Sequence, residues 1–182
     1  MADLAAQMER MKGWIDSFAT DVGALQALLA DERAATEARL HAAGGLNYLL
    51  MRMDLIPDWE ETCGILDDAM ILRVSMFLAL EMDLGGLSAE NLRIIGKLAN
   101  EAELVHEFLG DDVYARLKKY TEELAHTVVR GRHPRVLVDD PRERRHLFDE
   151  VKDDLKRLPP APMSDPARVA RVVRNYLSQK LK

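Results

Sequence analysis

The chain has 182 residues and a formal net charge of −6, enough for one ordinary domain with helical extensions but cramped for two. Apolar residues make up 48% and charged residues 31%, with only four Phe, four Tyr and two Trp, a mixture that suits helix because β-branched and aromatic strand formers are scarce. Cys63 is the only cysteine, which excludes an intrachain disulfide or a cysteine zinc site and points to a reducing, cytoplasmic setting.

Leu4, Met8, Met11, Ile15, Phe18, Val22, Leu25 and Leu29 recur at alternating spacings of four and three. Such a seam runs along one side of a helix and predicts either self-association through a coiled coil or packing of a long helix on its own domain. The flanking positions, including Ala5, Gln7, Ala19 and Gln26, carry few of the charges that set coiled-coil pairing. Gly44-Gly45 is expected to end this first helical region, and residues 1–43 form an amphipathic extension.

Residues 44–130 are expected to make a helical core. Leu46 to Met53 reads as a short helix stopped before Pro57, because proline pushes its predecessor out of the helical region. Ile65 to Asp83 reads as a buried helix; its five charges, Asp67, Asp68, Arg73, Glu81 and Asp83, argue against a membrane span. Ser88 is a good N-cap for a helix to about Leu109, and Gly110-Asp111 leads to another that should pair with it antiparallel and reach about Arg130.

Residues 131–182 are expected to hold an Arg-rich linker and two helices. Gly131 to Val138 reads as linker, Asp140-Pro141-Arg142-Glu143 starts a helix to about Arg157, and Asp165-Pro166 starts the last one. The fold class is all-α, a helical bundle with a long N-terminal helix and a C-terminal helix pair.

Between these elements lies the most specific pattern in the chain: Asp54-Leu55-Ile56-Pro57-Asp58, then Gly64, then Asp67-Asp68. From Gly45 to Ser75 it resembles the YkvA-like family, a domain of unknown function whose motif runs P-x-D-L-I-P-D-x-x-P-x-x-G-x-x-D-D. The chain departs from that motif at Arg52 and Glu61, where the family has prolines. The resemblance implies relatives and no activity. Read from the residues, Asp54, Asp58, Asp67 and Asp68 have two roles open to them. Converged, they would suit a divalent cation such as Mg²⁺, Mn²⁺ or Ca²⁺. As local groups, Asp54 would serve the turn, Asp58 with Glu61 a capping box, and Asp67 or Asp68 the start of the next helix. No cofactor is otherwise expected.

Glu103-Leu-Val-His106 and Glu123-Leu-Ala-His126 imitate the paired Glu-x-x-His of di-iron bundles, but the hairpin turn near Gly110 would separate the two histidines by roughly 18 Å. Net charge is −3 over residues 1–43, −8 over 44–109 and +5 over 110–182. The basic residues Arg130, Arg132, Arg135, Arg142, Arg144, Arg145, Arg168, Arg171 and Arg174 therefore predict either an acidic partner or packing against the chain's own acidic middle. With Lys180, Lys182 and the apolar Val169, Val172, Val173, Tyr176 and Leu177, the last helix would also suit an anionic membrane surface. Nucleic acid is not expected, since stacking aromatics are missing from the basic stretches. No nucleophile motif or phosphate loop stands out. The expected role is a non-enzymatic interaction or scaffold protein that binds a protein partner or itself; the alternatives are a metal-binding protein or hydrolase using the four aspartates, and a peripheral membrane protein.

Overall fold

A computed structural model describes residues 4–51, 55–57, 63, 65–157, 163 and 165–182. Among them are eight α-helices and no strand: α1 (Leu4–Ala30), α2 (Thr36–Tyr48), α3 (Leu66–Ala79), α4 (Ala89–Leu109), α5 (Asp111–Leu124), α6 (Pro134–Asp139), α7 (Pro141–Leu155) and α8 (Pro166–Lys180). A single β-bridge, Val129 with Arg132, closes a tight turn over Arg130 and Gly131, both at positive φ.

Helix α1, about 40 Å long at the helical rise, is the spine. It packs on α2, α3 and α4, and more lightly on α6, α7 and α8. Met8, Met11, Phe18, Val22, Leu25 and Leu29 of the heptad seam are buried within the chain, with Leu4 and Ile15 partly so. Gln7, Trp14, Asp21 and Leu28 are buried beside them, so the buried face is wider than a two-residue coiled-coil seam. The seam's partners in this structure are the chain's own helices.

Three expectations are corrected. Gly44-Gly45 does not end the first helical region: α1 stops at Ala30, and both glycines lie inside α2, which also takes in Leu46 to Tyr48 of the expected short helix. Their role is close packing. A Cβ on Gly44 would stand 2.7 Å from the Leu124 carbonyl carbon, and one on Gly45 would stand 2.9 Å from Ser75 Oγ. Here α2 touches the end of α5 on one side and α3 on the other, which outweighs glycine's poor helix propensity. The boundary drawn after residue 43 therefore cuts a helix. Nor is residues 131–138 a plain linker, because Pro134 opens α6 and Pro134, Leu137 and Val138 are buried. The same core also includes Leu147, Val151, Val169, Val173 and Leu177, joining the C-terminal segment to the rest.

Other elements follow their local signals. The side chains of Ser88, Asp140 and Asp165 accept hydrogen bonds from the amides of Asn91, Arg142 and Arg168, capping α4, α7 and α8. Asp31 clasps the α1–α2 turn to the α3–α4 loop by accepting from the Arg33 side chain and the Gly86 amide. The Arg33 side chain is the chief reason its carboxyl is held down at about 2.

Candidate functional site

Tyr48 ends α2 and Asp67 stands in the first turn of α3, both fully buried. The Tyr48 hydroxyl donates to Asp67 Oδ2 at 2.5 Å and accepts from the Leu55 amide at 2.9 Å. The Ile56 amide donates to the same Oδ2 at 3.0 Å. Two side chains from two helices thus satisfy the buried Leu55 and Ile56 amides, which would be costly to leave unpaired. Leu55, Ile56 and Pro57 are themselves buried. The ring of Tyr120 on α5 meets Tyr48 edge-on, with centroids 6.2 Å apart.

Burial dominates the electrostatics of this cluster. It pushes the Asp67 carboxyl up to about 7, against the pull of the Tyr48 hydroxyl, the Ile56 amide and the first-turn amides of Asp67 and Asp68. Burial, and then the carboxylates of Asp67 and Asp68, push Tyr48 well above its ordinary range. Burial therefore favours the neutral form of both groups that share this short hydrogen bond.

Of the motif residues, Leu55, Ile56, Pro57, Asp67 and Asp68 are placed, whereas Asp54, Asp58 and Gly64 lie outside the described residues, as does the Asp58–Glu61 capping box. Asp67 serves the loop, a longer-range duty than capping its own helix. Cys63 is buried. Among the described residues, no three His, Cys, Asp or Glu side chains are gathered as a ready metal cage.

A second buried polar cluster was not foreseen. Arg73 on α3 is fully buried and donates to Asp21 of α1 at 3.1 Å, to Glu101 of α4 at 2.9 Å and to the Ala69 carbonyl at 3.0 Å. Its guanidinium lies 4.1 Å from the centroid of the Trp14 ring. Burial lowers the Arg73 pKa, and it raises that of Asp21 despite the arginine beside it. The one sequence signal was an arginine set in the apolar stretch of α3 that follows Asp67-Asp68.

The basic residues divide. Arg130 and Arg132 bind Glu150, Arg135 binds Asp139, and Arg174 donates to the Phe108 carbonyl while stacking on its ring. Arg144 is a correction to the expected basic surface: it is buried, and it donates to the carbonyls of Leu137 and Val138. Arg142, Arg145, Arg168 and Arg171 are exposed. On α8, Val169, Val173 and Leu177 are buried and Val172 and Tyr176 partly so; the helix packs on α1 and α5. The stripe that would enter a membrane is thus already covered. No helix among the described residues is long and apolar enough to cross one. His106 binds Asp111 at 2.8 Å and stacks on Tyr114, closing the α4–α5 corner, while His126 lies beyond the far end of α5.

No protein-family model matches the chain, and neither does any curated protein or solved structure.

Proposed function

We propose that this protein is a non-enzymatic helical interaction or scaffold module, and that its likeness to the YkvA-like family reflects a shared buried loop. The observation that carries this reading is the exposed large apolar side chains at the end of α3 and in the first turn of α4. Phe77 and Leu80 are 42% and 40% exposed, three residues apart and hence on one side of the chain leaving α3, and Leu92 in the first turn of α4 is 42% exposed. Partly buried Leu78, Met82, Leu84 and Leu87 lie between them in sequence, and Lys118 stands 5.6 Å from the Phe77 ring as a charged edge. Large apolar side chains left in water, with a charged one beside them, are a usual element of a protein contact. The motif carboxylate Asp67 supports the reading from the other side, since it is engaged with Tyr48 and Ile56.

The test is site-specific photo-crosslinking in the host cell, with a photoreactive phenylalanine analogue at position 80 and, as control, at Asn175 on the polar face of α8. A discrete adduct at position 80 alone is expected, and its mass distinguishes a second copy from another protein. The same background at both positions would refute the reading.

A further inference from the structure

Five large apolar side chains among the described residues stand exposed, and they fall into two groups of opposite charge. Phe77, Leu80 and Leu92 belong to residues 77–92, whose charged members are all acidic: Glu81, Asp83 and Glu90, each exposed. Val128 and Val136 belong to residues 126–136, whose charged members are all basic: Arg130, Arg132 and Arg135, with two histidines beside them. Lys118, Arg33 and Arg93 stand at the margin of the acidic group, with Arg33 held by Asp31.

The basic group is carried on a tight turn. Val129 and Arg132 exchange backbone hydrogen bonds at 3.0 and 2.9 Å around Arg130 and Gly131, both at positive φ. A left-handed backbone is uncommon for a side chain as long as that of arginine, and here it holds Arg130 at the tip. Asn47 fixes the base of the turn by donating to the Arg132 carbonyl at 3.1 Å. Arg130 and Arg135 pair with Glu150 and Asp139, but their side chains are 41% and 55% exposed, so these are weak surface pairs that a partner's carboxylate can exchange. Asn47 lies in the last turn of α2, whereas the α3–α4 loop meets the other end of that helix, where the Ala35 amide donates to the Asp83 carbonyl. About 18 Å of helix lies between those two contacts, so the groups do not cover one another within one chain.

We propose that copies of this chain associate head to tail, the basic turn of one docking on the acidic residues and exposed apolar side chains around the α3–α4 loop of the next. The inference rests on the interaction role proposed above and names the partner as a second copy. Groups of opposite charge with apolar side chains beside them fit one another, whereas two identical groups would repel, so the contact is heterologous and not two-fold. Val128 and Val136 meet Phe77, Leu80 or Leu92, while Arg130 and Arg135 meet Glu81 and Glu90. Each end copy keeps one group free, so assembly continues into open chains unless the rotation between copies closes a ring.

Light scattering on the full chain tests it. The average mass should rise above 20.6 kDa with concentration and fall back as salt screens the charges. Glu81→Lys with Glu90→Lys, and separately Arg130→Glu with Arg135→Glu, should each weaken association by about tenfold or more in chains that circular dichroism shows to be folded. An equimolar mixture of the two variants should assemble again, because each reversed group then faces its complement. With the photoreactive residue at position 80 of the otherwise wild-type chain, mass spectrometry should place the link at residues 126–136 of a second copy. The proposal is overturned if wild type keeps monomer mass at every concentration, if the mixture of folded variants is no larger than either alone, or if the position-80 adduct holds a different protein. In that last case the interaction role stands without this partner, whereas no adduct at all removes both.

Discussion

Replacing Asp67 by asparagine should stabilise the protein at alkaline pH and not at acid pH. The carboxyl is fully buried, and its pKa is raised from 3.8 to about 7, chiefly by burial. A raised folded pKa means that the native state binds the proton more tightly than the unfolded chain does. The contribution is fully present below the unfolded value and is lost as pH rises through that window to about 7. A rise from 3.8 to about 7 corresponds to on the order of 4 kcal/mol. Asparagine keeps an oxygen for the Tyr48 hydroxyl and the Ile56 amide but cannot ionise. Between pH 4.5 and pH 8, stability should therefore move in favour of Asp67→Asn by about 3 kcal/mol relative to wild type. Asp67→Ala separates charge from hydrogen bonding. It leaves two buried donors without an acceptor, each costing roughly 1–3 kcal/mol, and should lie below Asp67→Asn at every pH. Urea unfolding followed by tryptophan fluorescence across this range measures all three. A gap between wild type and Asp67→Asn that stays constant with pH would refute the reasoning, because it would mean that the buried carboxyl does not titrate there.

Arg73→Ala should cost about 3–5 kcal/mol in urea unfolding, since it leaves the carboxylates of Asp21 and Glu101 facing an empty site in the interior; a loss under 1 kcal/mol would show that water replaces the guanidinium. Gly44→Ala should destabilise by roughly 1–3 kcal/mol because its Cβ would meet unyielding backbone at 2.7 Å, whereas Gly45→Ala meets the Ser75 hydroxyl and should cost less; equal effects would count against the close-packing account. Deleting residues 164–182 should lower the melting temperature by uncovering what Val169, Val173 and Leu177 bury, and anionic vesicles should bind neither form at low salt. Co-sedimentation of wild type that the deletion abolishes without a change in melting temperature would reverse that assignment.

What could be read from the sequence was local. Ser88, Asp140 and Asp165 announced helix starts because a cap acts within three residues of itself, and the structure uses each as a cap. Gly44-Gly45 misled because the same residue serves as a helix stop and as a point of close helix contact, and only the position of Leu124, eighty residues later, distinguishes the two. Helix α6 escaped because six residues are too few to show a period. The heptad seam of α1 was visible, yet its partners were not: a repeat reports that a face is buried and is silent on what buries it. The Tyr48–Asp67 pair needs the end of one helix and the start of another to meet around a loop, and no spacing in the sequence encodes that.

The charge asymmetry shows the same limit from the energetic side. The basic C-terminal third invites an acidic partner, but much of its charge is engaged with backbone and carboxylates of the chain itself. Arg39 of α2 donates to the Leu29 carbonyl at 3.0 Å and to the Val138 carbonyl at 2.9 Å. Arg144 of α7 reaches the same two carbonyls at 3.5 Å and 3.0 Å. Two buried guanidiniums therefore share the C-terminal ends of α1 and α6, where unpaired carbonyls and the negative pole of each helix dipole concentrate. Their mutual repulsion is real: the pKa of Arg39 is lowered, first by burial and then by Arg144. Such an arrangement holds only if both helix ends remain together, so it selects one packing of α6 and α7 against α1 over alternatives that would satisfy the apolar pattern equally well. Arg130, Arg132, Arg135 and Arg174 are also engaged, while Arg142, Arg145, Arg168 and Arg171 are exposed on two different helices. Part of the basic charge of the C-terminal third therefore serves the fold, and any acidic partner would meet less of it than the sequence total suggests.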